Sequence, residues 1–298
     1  MWGSENMNIN WYPGHMAKTK KQIIEDLKLI DIVIEVLDAR IPISSQNPDI
    51  QEQIKQKKKV IILNKSDLSD EKQNQKWVEY FAKQNIPAVL VDSTSGKGFN
   101  EVDKVIKNVY EAGRYEQKGR VGKSIRLMVM GIPNVGKSSF INRMAHKAST
   151  KVGNKPGVTK QKQWIRVSNE IELLDTPGVL WPKLDEKNTA MNLAYTGTIK
   201  DEILPTIEVG FALLKVLMEH YLKNLIERYK LSAEVIEAIL QNRVLEPNEK
   251  ALEVMNEIGR KRGCVIAGGE IDQERIANML LEDFRTGKLG KITLEMSQ

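Results

Sequence analysis

The sequence predicts an α/β fold with a mostly parallel sheet, followed by a smaller all-helical domain. From about residue 31 to about residue 178, short β-branched apolar runs alternate with amphipathic helical stretches, which is typical of a parallel sheet covered on both faces. Beyond about residue 195 the apolar spacing is helical and no further strong strand pattern is found. We therefore expect residues 8–198 to form the α/β domain and residues 199–298 the helical domain, and we expect residues 1–7 to be a cloning remnant.

The elements follow from local patterns. Five apolar runs are predicted to be strands, in the order DIVIEVLDAR, KKVIILNKSD, PAVLVD, IRLMVMG and IELLDTPG. Helices are predicted in KKQIIEDLKLI, over residues 70–85 and 100–117, and in SSFINRMAHKA. The helical domain is predicted from EVGFALLKVLMEHYLKNLIERY, SAEVIEAIL, ALEVMNEIGRKRG and QERIANMLLEDFRTG, whose apolar residues recur at helical spacing beside charged faces.

Composition limits the class of protein. No apolar run approaches the roughly 18 residues that a membrane helix needs. The single cysteine, Cys264, excludes an internal disulfide framework and fits a reducing compartment. The formal net charge of +6 mildly favours a polyanionic partner such as RNA. We therefore expect a cytoplasmic protein that does not enter a membrane.

The segment from Gly131 to Ser139, GIPNVGKSS, matches the phosphate-binding pattern G-x-x-x-x-G-K-[ST], between a predicted strand and a predicted helix. Its glycines let backbone N–H groups converge on phosphate, and the helix N-terminus adds a positive dipole end. The alternative, a glycine-rich turn without a ligand, fits this context less well. The residues expected to bind nucleotide are Asn134, Val135, Gly136, Lys137, Ser138 and Ser139, with Lys137 reaching the β- and γ-phosphates and Ser138 coordinating Mg²⁺.

A second motif, DTPG, follows the last predicted strand. Asp175 has the position that holds Mg²⁺, directly or through water. Gly178 is expected to bring its backbone N–H near the γ-phosphate, because no side chain blocks the approach. Between these two motifs lies PGVT, in which Thr159 is expected to sense the γ-phosphate and Mg²⁺ from a mobile loop.

Two further motifs indicate guanine. NKSD supplies Asn64, Lys65, Ser66 and Asp67, and DSTS supplies Asp92, Ser93 and Thr94. The Asp67 carboxylate can accept from both guanine N1–H and the exocyclic amine, a donor pair that adenine lacks. Lys65 is expected along the base, Asn64 to tie the loop to neighbouring backbone, and the DSTS loop to contact guanine O6. Polar strand-to-helix turns are the alternative for both segments.

The order of the motifs is circularly permuted, since NKSD and DSTS precede the phosphate loop and no second [NT]KxD follows DTPG. One sheet can still form if the old termini are joined, because domain termini usually lie close together. The chain is therefore predicted to be a P-loop GTPase with permuted motif order. The DTPG segment leads into the helical domain, so nucleotide state is expected to bias the position of that domain.

This order, together with WYPGHMAK, LDARIP, NKSD, GIPNVGKSS, KPGVTK and DTPGVLWPK, resembles the ribosome biogenesis GTPase A family of bacteria. The resemblance extends over nearly the whole chain from Trp11 and is strongest in the α/β domain. It implies GTP hydrolysis stimulated by the large ribosomal subunit late in its assembly, and binding of ribosomal RNA by the C-terminal domain. We expect a monomer off the ribosome.

The resemblance also implies residues for catalysis. Val179 stands where Ras-like enzymes have the glutamine that orients water, and valine cannot hydrogen-bond water with its side chain. The resemblance favours His15 as the catalytic residue that positions water, and a structural turn histidine is the alternative for His15. Lys137 and Thr159, from the phosphate loop and PGVT, are expected to be catalytic with it. Similar GTPases with asparagine at the position of Asn134 bind K⁺ there, whereas the alternative is an asparagine that only shapes the loop.

For RNA binding we expect basic residues of the helical domain to contact phosphates, namely Arg260, Lys261, Arg262, Arg285, Lys288 and Lys291. A solvated charged helix face is the alternative. Two other functions remain open at this point: a nucleotide-dependent RNA-binding scaffold with little turnover, and a GTPase of tRNA modification or metal transport. Intact Lys137, Ser138 and Asp175 argue against the first, and the permuted order argues against the second.

Overall fold

A computed structural model describes residues 21–114, 124–148, 163–176, 186–199 and 201–297. They divide into two compact units, the first ending at Lys187 and including the tail from Glu295, the second running from Asn188 to Leu294. Within the part of the chain that the structure describes, every helix is too short or too polar to cross a lipid bilayer.

The first unit is built on a six-stranded sheet in the order β3-β2-β1-β4-β6-β5. The strands are β1 (Ile32–Asp38), β2 (Lys58–Asn64), β3 (Ala88–Val91), β4 (Ile125–Met130), β5 (Gln163–Arg166) and β6 (Ile171–Asp175). All neighbours pair in parallel except β5, which runs antiparallel to β6 at the edge. This confirms the expected α/β class with a mostly parallel sheet.

The helices of the first unit are α1 over residues 21–27, α2 (Pro48–Ile54), α3 (Glu71–Lys83), α4 (Phe99–Arg114) and α5 (Lys137–Ala148). Helix α1 precedes β1, and the other four helices of the first unit each follow one of the strands β1 to β4. Every residue of β1 is buried, as expected for a central parallel strand with both faces covered. Two short elements, α2 and β5, were not predicted. For β5 the reason is that its sequence, QWIR, has only two apolar residues, and an edge strand needs no long apolar run.

The second unit is helical, as expected. It contains α6 (Lys187–Tyr195), α7 (Thr206–His220), α8 (Leu222–Tyr229), α9 (Ala233–Gln241), α10 (Pro247–Arg262) and α11 (Gln273–Arg285), with a 3₁₀ turn at Asp201–Ile203. Helices α7 and α11 pack closely, since a Cβ on Gly210 would lie 2.5 Å from the Cβ of Ala277. Asp283 is buried beneath α8 and accepts from Arg228 Nε at 2.8 Å and Tyr229 Oη at 3.1 Å.

The division differs from the expected boundary between residues 198 and 199. Helix α6 belongs to the helical unit because Ala194 and Tyr195 join its apolar core. At the other end, the tail returns to the first unit: the Glu295 carboxylate accepts from the backbone N–H of Ile43 at 2.6 Å and of Ser44 at 2.9 Å. The Trp77 indole also donates to the carbonyl of Glu295 at 2.9 Å. These contacts are non-local, so a boundary taken from helical periodicity could not find them.

Candidate functional site

The sheet brings the predicted motifs to one edge. In the registers of the parallel pairs, Asp38 lies opposite Asn64, Asn64 lies opposite Val91, and Val129 lies opposite Asp175. The phosphate loop, NKSD, DSTS and DTPG all follow the carboxyl ends of these strands. That edge is where open α/β sheets bind ligands.

The phosphate loop connects β4 to α5, which begins at Lys137. Two of its residues have left-handed backbone, Asn134 at φ 65° and Gly136 at φ 87°. Asparagine tolerates this conformation better than most side chains do, and glycine adopts it freely. The first turn of α5 holds no acidic residue, which suits an anion at this helix end. Ser138 and Ser139 are exposed at the start of α5, whereas Val135 is buried.

Asn64 joins three of the motifs. Its Nδ2 donates to the carbonyl of Val135 in the phosphate loop at 2.8 Å. Its Oδ1 accepts from Ser93 of DSTS, from the backbone N at 3.2 Å and from Oγ at 2.8 Å. Asn64 is buried, so each of these bonds would be costly to lose. The tie to neighbouring backbone expected for Asn64 is therefore present.

Lys65 crosses from NKSD to the phosphate loop. Its Nζ donates to the carbonyl of Asn134 at 2.6 Å and lies 3.0 Å from Oδ2 of Asp38. The Asp38 carboxylate also accepts two hydrogen bonds from Arg40, from Nε to Oδ1 at 2.9 Å and from Nη2 to Oδ2 at 2.8 Å. Sequence reasoning assigned no role to Asp38 or Arg40. The signal was present in LDAR, which places Asp38 at the end of a buried strand and Arg40 two residues later.

The acidic residues of the NKSD and DSTS loops have shifted pKa values. Partial burial raises the pKa of Asp67, and the nearby carboxylates of Asp92 and Asp38 raise it further. Burial would also raise the pKa of Asp92, but hydrogen bonds from Ser95 and from the backbone N–H of Thr94 outweigh it and lower that pKa. Asp92 Oδ1 accepts from Thr94 N at 2.8 Å, so it shapes its own loop, whereas Asp67 keeps part of its surface exposed to solvent.

Arg143 of α5 was missed by the sequence reasoning, because an arginine within a helix carries no positional signal. Its Nη2 donates to the carbonyl of Thr94, and its Nε lies 3.4 Å from the carbonyl of Ser93. A Cβ on Gly96 would lie 3.2 Å from the guanidinium carbon. The helix that follows the phosphate loop therefore also holds the DSTS loop in place.

Lys137 and Asp175 meet at the other side of the phosphate loop. The Lys137 Nζ donates to Asp175 Oδ1 at 2.8 Å and also to the carbonyl of Thr176. Thr176 is fixed in turn, since its Oγ1 donates to the carbonyl of Val129 at 2.6 Å. The Ser138 hydroxyl and the Asp175 carboxylate are hard oxygen donors, the kind that Mg²⁺ prefers. The predicted residues His15, Thr159 and Gly178 lie outside the described residues.

The predicted RNA-binding residues differ in their environments. Arg260, Lys261 and Arg262 are exposed at the last turn of α10. Arg285 has a different environment: it donates to the carbonyls of Ala194 and Tyr195, and it forms a two-point ion pair with Asp201 at 2.6 and 2.7 Å. Its guanidinium is thus used to join α11 to α6 and the 3₁₀ turn. Lys288 is half-exposed, 3.2 Å from Glu282 and 3.7 Å from Asp283, and Lys291 is exposed.

Known proteins share both the sequence and the fold. The profile of the 50S ribosome-binding GTPase family matches residues 126–259. The chain is 43% identical to ribosome biogenesis GTPase A of Priestia megaterium over 292 residues, which cover 97% of each chain. A GDP-bound structure of YlqF superposes with a TM-score of 0.61 at 26% identity, covering 92% of this chain and 98% of that one. GNP-bound YlqF from T. maritima superposes with a TM-score of 0.59 at 25% identity, covering 94% and 99%. The chain therefore belongs to the ribosome biogenesis GTPase A family and is a GTP hydrolase of ribosome biogenesis.

Proposed function

We propose that this GTPase acts in the cytoplasm late in assembly of the large ribosomal subunit, that the subunit stimulates hydrolysis, and that the helical unit binds ribosomal RNA. The observation that carries the nucleotide part is the position of Asn64, whose amide joins the phosphate loop to both base-binding loops. The description of the matching family as 50S ribosome-binding GTPases supports the large subunit as partner. Exposed cations at the end of α10 support contact with RNA phosphates.

In the proposed site, Asp67 selects guanine while Lys65 lies along the base, and Ser66, Asp92, Ser93 and Thr94 shape the surrounding loops. Lys137, the loop backbone around Val135 and Gly136, and the hydroxyls of Ser138 and Ser139 face the phosphates. Bound Mg²⁺, held by Ser138, Asp175 and Thr159, would neutralise charge on the β- and γ-phosphates. Gly178 completes the γ-phosphate end in this proposal.

Asp67 gives a pH prediction. Guanine recognition needs the ionised carboxylate, and the pKa of Asp67 is raised by partial burial and by Asp92 and Asp38. We therefore expect GDP affinity to fall as the pH is lowered, starting at a higher pH than the ordinary aspartate pKa of 3.8 would give. Asp67→Asn should weaken GDP binding about 100-fold or more at pH 7, because an amide cannot accept from two guanine donors at once.

Fluorescence titration with a labelled GDP, as the pH is lowered from neutral toward the ordinary aspartate pKa of 3.8, checks this prediction. Asp70→Asn is the matched control, because Asp70 caps α3 through bonds to Lys72 N and Gln73 N and asparagine caps equally well. An Asp67→Asn variant with native GDP affinity would remove the guanine assignment.

For the attacking water we propose His15, which replaces the missing glutamine of Ras-like enzymes. A GTP hydrolysis assay with and without large-subunit particles tests this assignment and the proposed partner together. Stimulation by the particles is expected for the native chain and is expected to fall about 100-fold in His15→Ala. His220→Ala is the control, because His220 is an exposed histidine of the helical unit.

The outcomes of that assay separate the alternatives. A His15→Ala variant that is stimulated to the native level would remove His15 from the mechanism. A native chain that binds the particles in a nucleotide-dependent way without stimulation would instead be the RNA-binding scaffold.

We also propose K⁺ at Asn134, where a cation between the phosphates would supply the charge of an arginine finger. Asn134 is exposed and has a left-handed backbone, which also fits the simpler role of shaping the loop. Hydrolysis is expected to be at least about tenfold faster in KCl than in NaCl of the same ionic strength. Equal rates in the two salts would leave Asn134 with the structural role.

The proposed RNA surface consists of Arg260, Lys261 and Arg262 with Lys288 and Lys291. Arg285 is left out, because its guanidinium is engaged by Asp201 and two carbonyls of the same unit. The cations of the last turn of α10 also interact favourably with the helix C-terminus. Their charge therefore stabilises the helix as well as supporting the proposed RNA binding.

A further inference from the structure

A buried cluster of charges lies at the end of β1. Asp38 and Arg40 are 2% and 1% exposed, and Arg40 is among the largest fully buried side chains of the described residues. The pair is bidentate, with the backbone N–H of Arg40 also donating to Asp38 Oδ1 at 3.1 Å. Burying charges is costly even when they are paired. A pair at this position therefore calls for an explanation beyond packing.

The third member of the cluster is Lys65, which belongs to the proposed guanine site. Its ammonium lies between two acceptors, 3.0 Å from Asp38 Oδ2 and 2.6 Å from the carbonyl of Asn134. Its own backbone is left-handed, at φ 59°. A lysine has a flexible four-carbon stem, so a fixed counter-charge 3.0 Å from the ammonium restricts where the ammonium lies.

The surrounding backbone makes this counter-charge rigid. Strand β1 lies between β2, which leads into NKSD, and β4, which leads into the phosphate loop. The backbone N–H of Asp38 donates to Ser45 Oγ at 3.1 Å, and that of Ala39 donates to the carbonyl of Asn64 at 2.8 Å. Arg40 occupies both carboxylate oxygens and prevents the side chain of Asp38 from turning away. The pair thus presents one fixed oxygen toward Lys65.

We propose that Asp38 and Arg40 are positioning residues for guanine-nucleotide binding, which hold the Lys65 ammonium against the phosphate loop before the base arrives. This inference rests on the proposed guanine site. Preorganisation of this kind lowers the ordering cost of binding. Its loss therefore weakens nucleotide affinity and raises KM, while kcat for bound GTP is preserved.

A double-mutant cycle with Lys65 tests the proposal. D38N/R40M removes the pair without leaving a buried unpaired charge, because Lys65 is 21% exposed and can turn to water. We expect D38N/R40M to weaken labelled GDP binding about tenfold in the Lys65 chain, and less than twofold in a chain that also carries Lys65→Met. With GTP, the KM should rise while kcat stays within about twofold of the native value.

Glu35→Gln is the matched control. It removes another buried carboxylate from the same strand, one that contacts Gln51 and Lys59. It should leave GDP affinity unchanged, which separates positioning of Lys65 from general weakening of β1. An equal loss of affinity with and without Lys65 would overturn the proposal, because a merely structural role acts in both backgrounds.

Two further variants keep the test decisive. If D38N/R40M does not fold, Arg40→Lys keeps the charge but not the two-point geometry, and it should give a smaller loss in the same assay; native affinity in Arg40→Lys would overturn the proposal. Asp67→Asn, measured in the same assay, separates failure of the proposed guanine site from failure of the positioning role of Asp38 and Arg40. If it binds GDP normally, the guanine site itself is misplaced, whereas a strong loss there with an additive cycle removes only the role of Asp38 and Arg40.

Discussion

Replacing Lys137 with methionine is expected to lower the rate of GTP hydrolysis about 1000-fold, since a charge that faces the phosphates in the transition state contributes this order of stabilisation. Methionine has a similar length but no charge. The substitution also removes the ammonium that lies 2.8 Å from Oδ1 of Asp175. Because the lost interaction strengthens as charge develops on the phosphates, kcat should fall by more than GDP affinity does.

Single-turnover hydrolysis at saturating GTP, with large-subunit particles present, measures this effect. Lys104→Met is the matched control, because Lys104 is an exposed lysine of α4 whose nearest acidic partner, Glu101, is 3.7 Å away. A Lys137→Met variant within tenfold of the native rate would contradict the assignment of this lysine to the phosphates.

Replacing Gly136 with alanine is expected to reduce GDP affinity at least about 100-fold. The residue has φ 87°, and a Cβ there would lie 2.3 Å from Nδ2 of Asn64. The left-handed conformation alone costs an alanine about 1 kcal/mol. Displacing Asn64 adds the loss of buried hydrogen bonds to Val135 and Ser93, at about 1–3 kcal/mol each. The substitution thus separates the phosphate loop from the NKSD and DSTS loops.

Gly268→Ala provides the control for backbone strain. Gly268 has φ 93°, and a Cβ there would meet nothing within 4 Å. It should lose some thermal stability and keep native GDP affinity, as measured by thermal unfolding and by titration with labelled GDP. If Gly136→Ala and Gly268→Ala behaved alike in GDP binding, contact with Asn64 would not be the cause of the loss.

The local sequence was sufficient to predict the features that depend only on neighbouring residues, namely the buried strands and the order of the motifs. Largely apolar runs such as the one from Ile32 to Leu37, which only Glu35 interrupts, predicted parallel strands, because a strand buried on both faces is mostly apolar. The order of NKSD before the phosphate loop predicted the permuted arrangement, because motif order is a property of the chain itself. The roles proposed for Asp67, Lys137 and Asp175 rest on their chemistry and on the spacing of their motifs, and they stay predictions.

Only the tertiary structure decided which groups hold these motifs together. Asn64 contacts Val135 and Ser93, and Arg143 contacts Thr94, across 71, 29 and 49 residues of sequence. The environment of Arg285 also could not be read from the local sequence, since this basic residue of a basic stretch forms an ion pair with Asp201 of the same unit. Spacing and charge indicate what a side chain can do. The fold determines which partner it meets, because the cost of burying a polar group depends on neighbours that are distant in the chain.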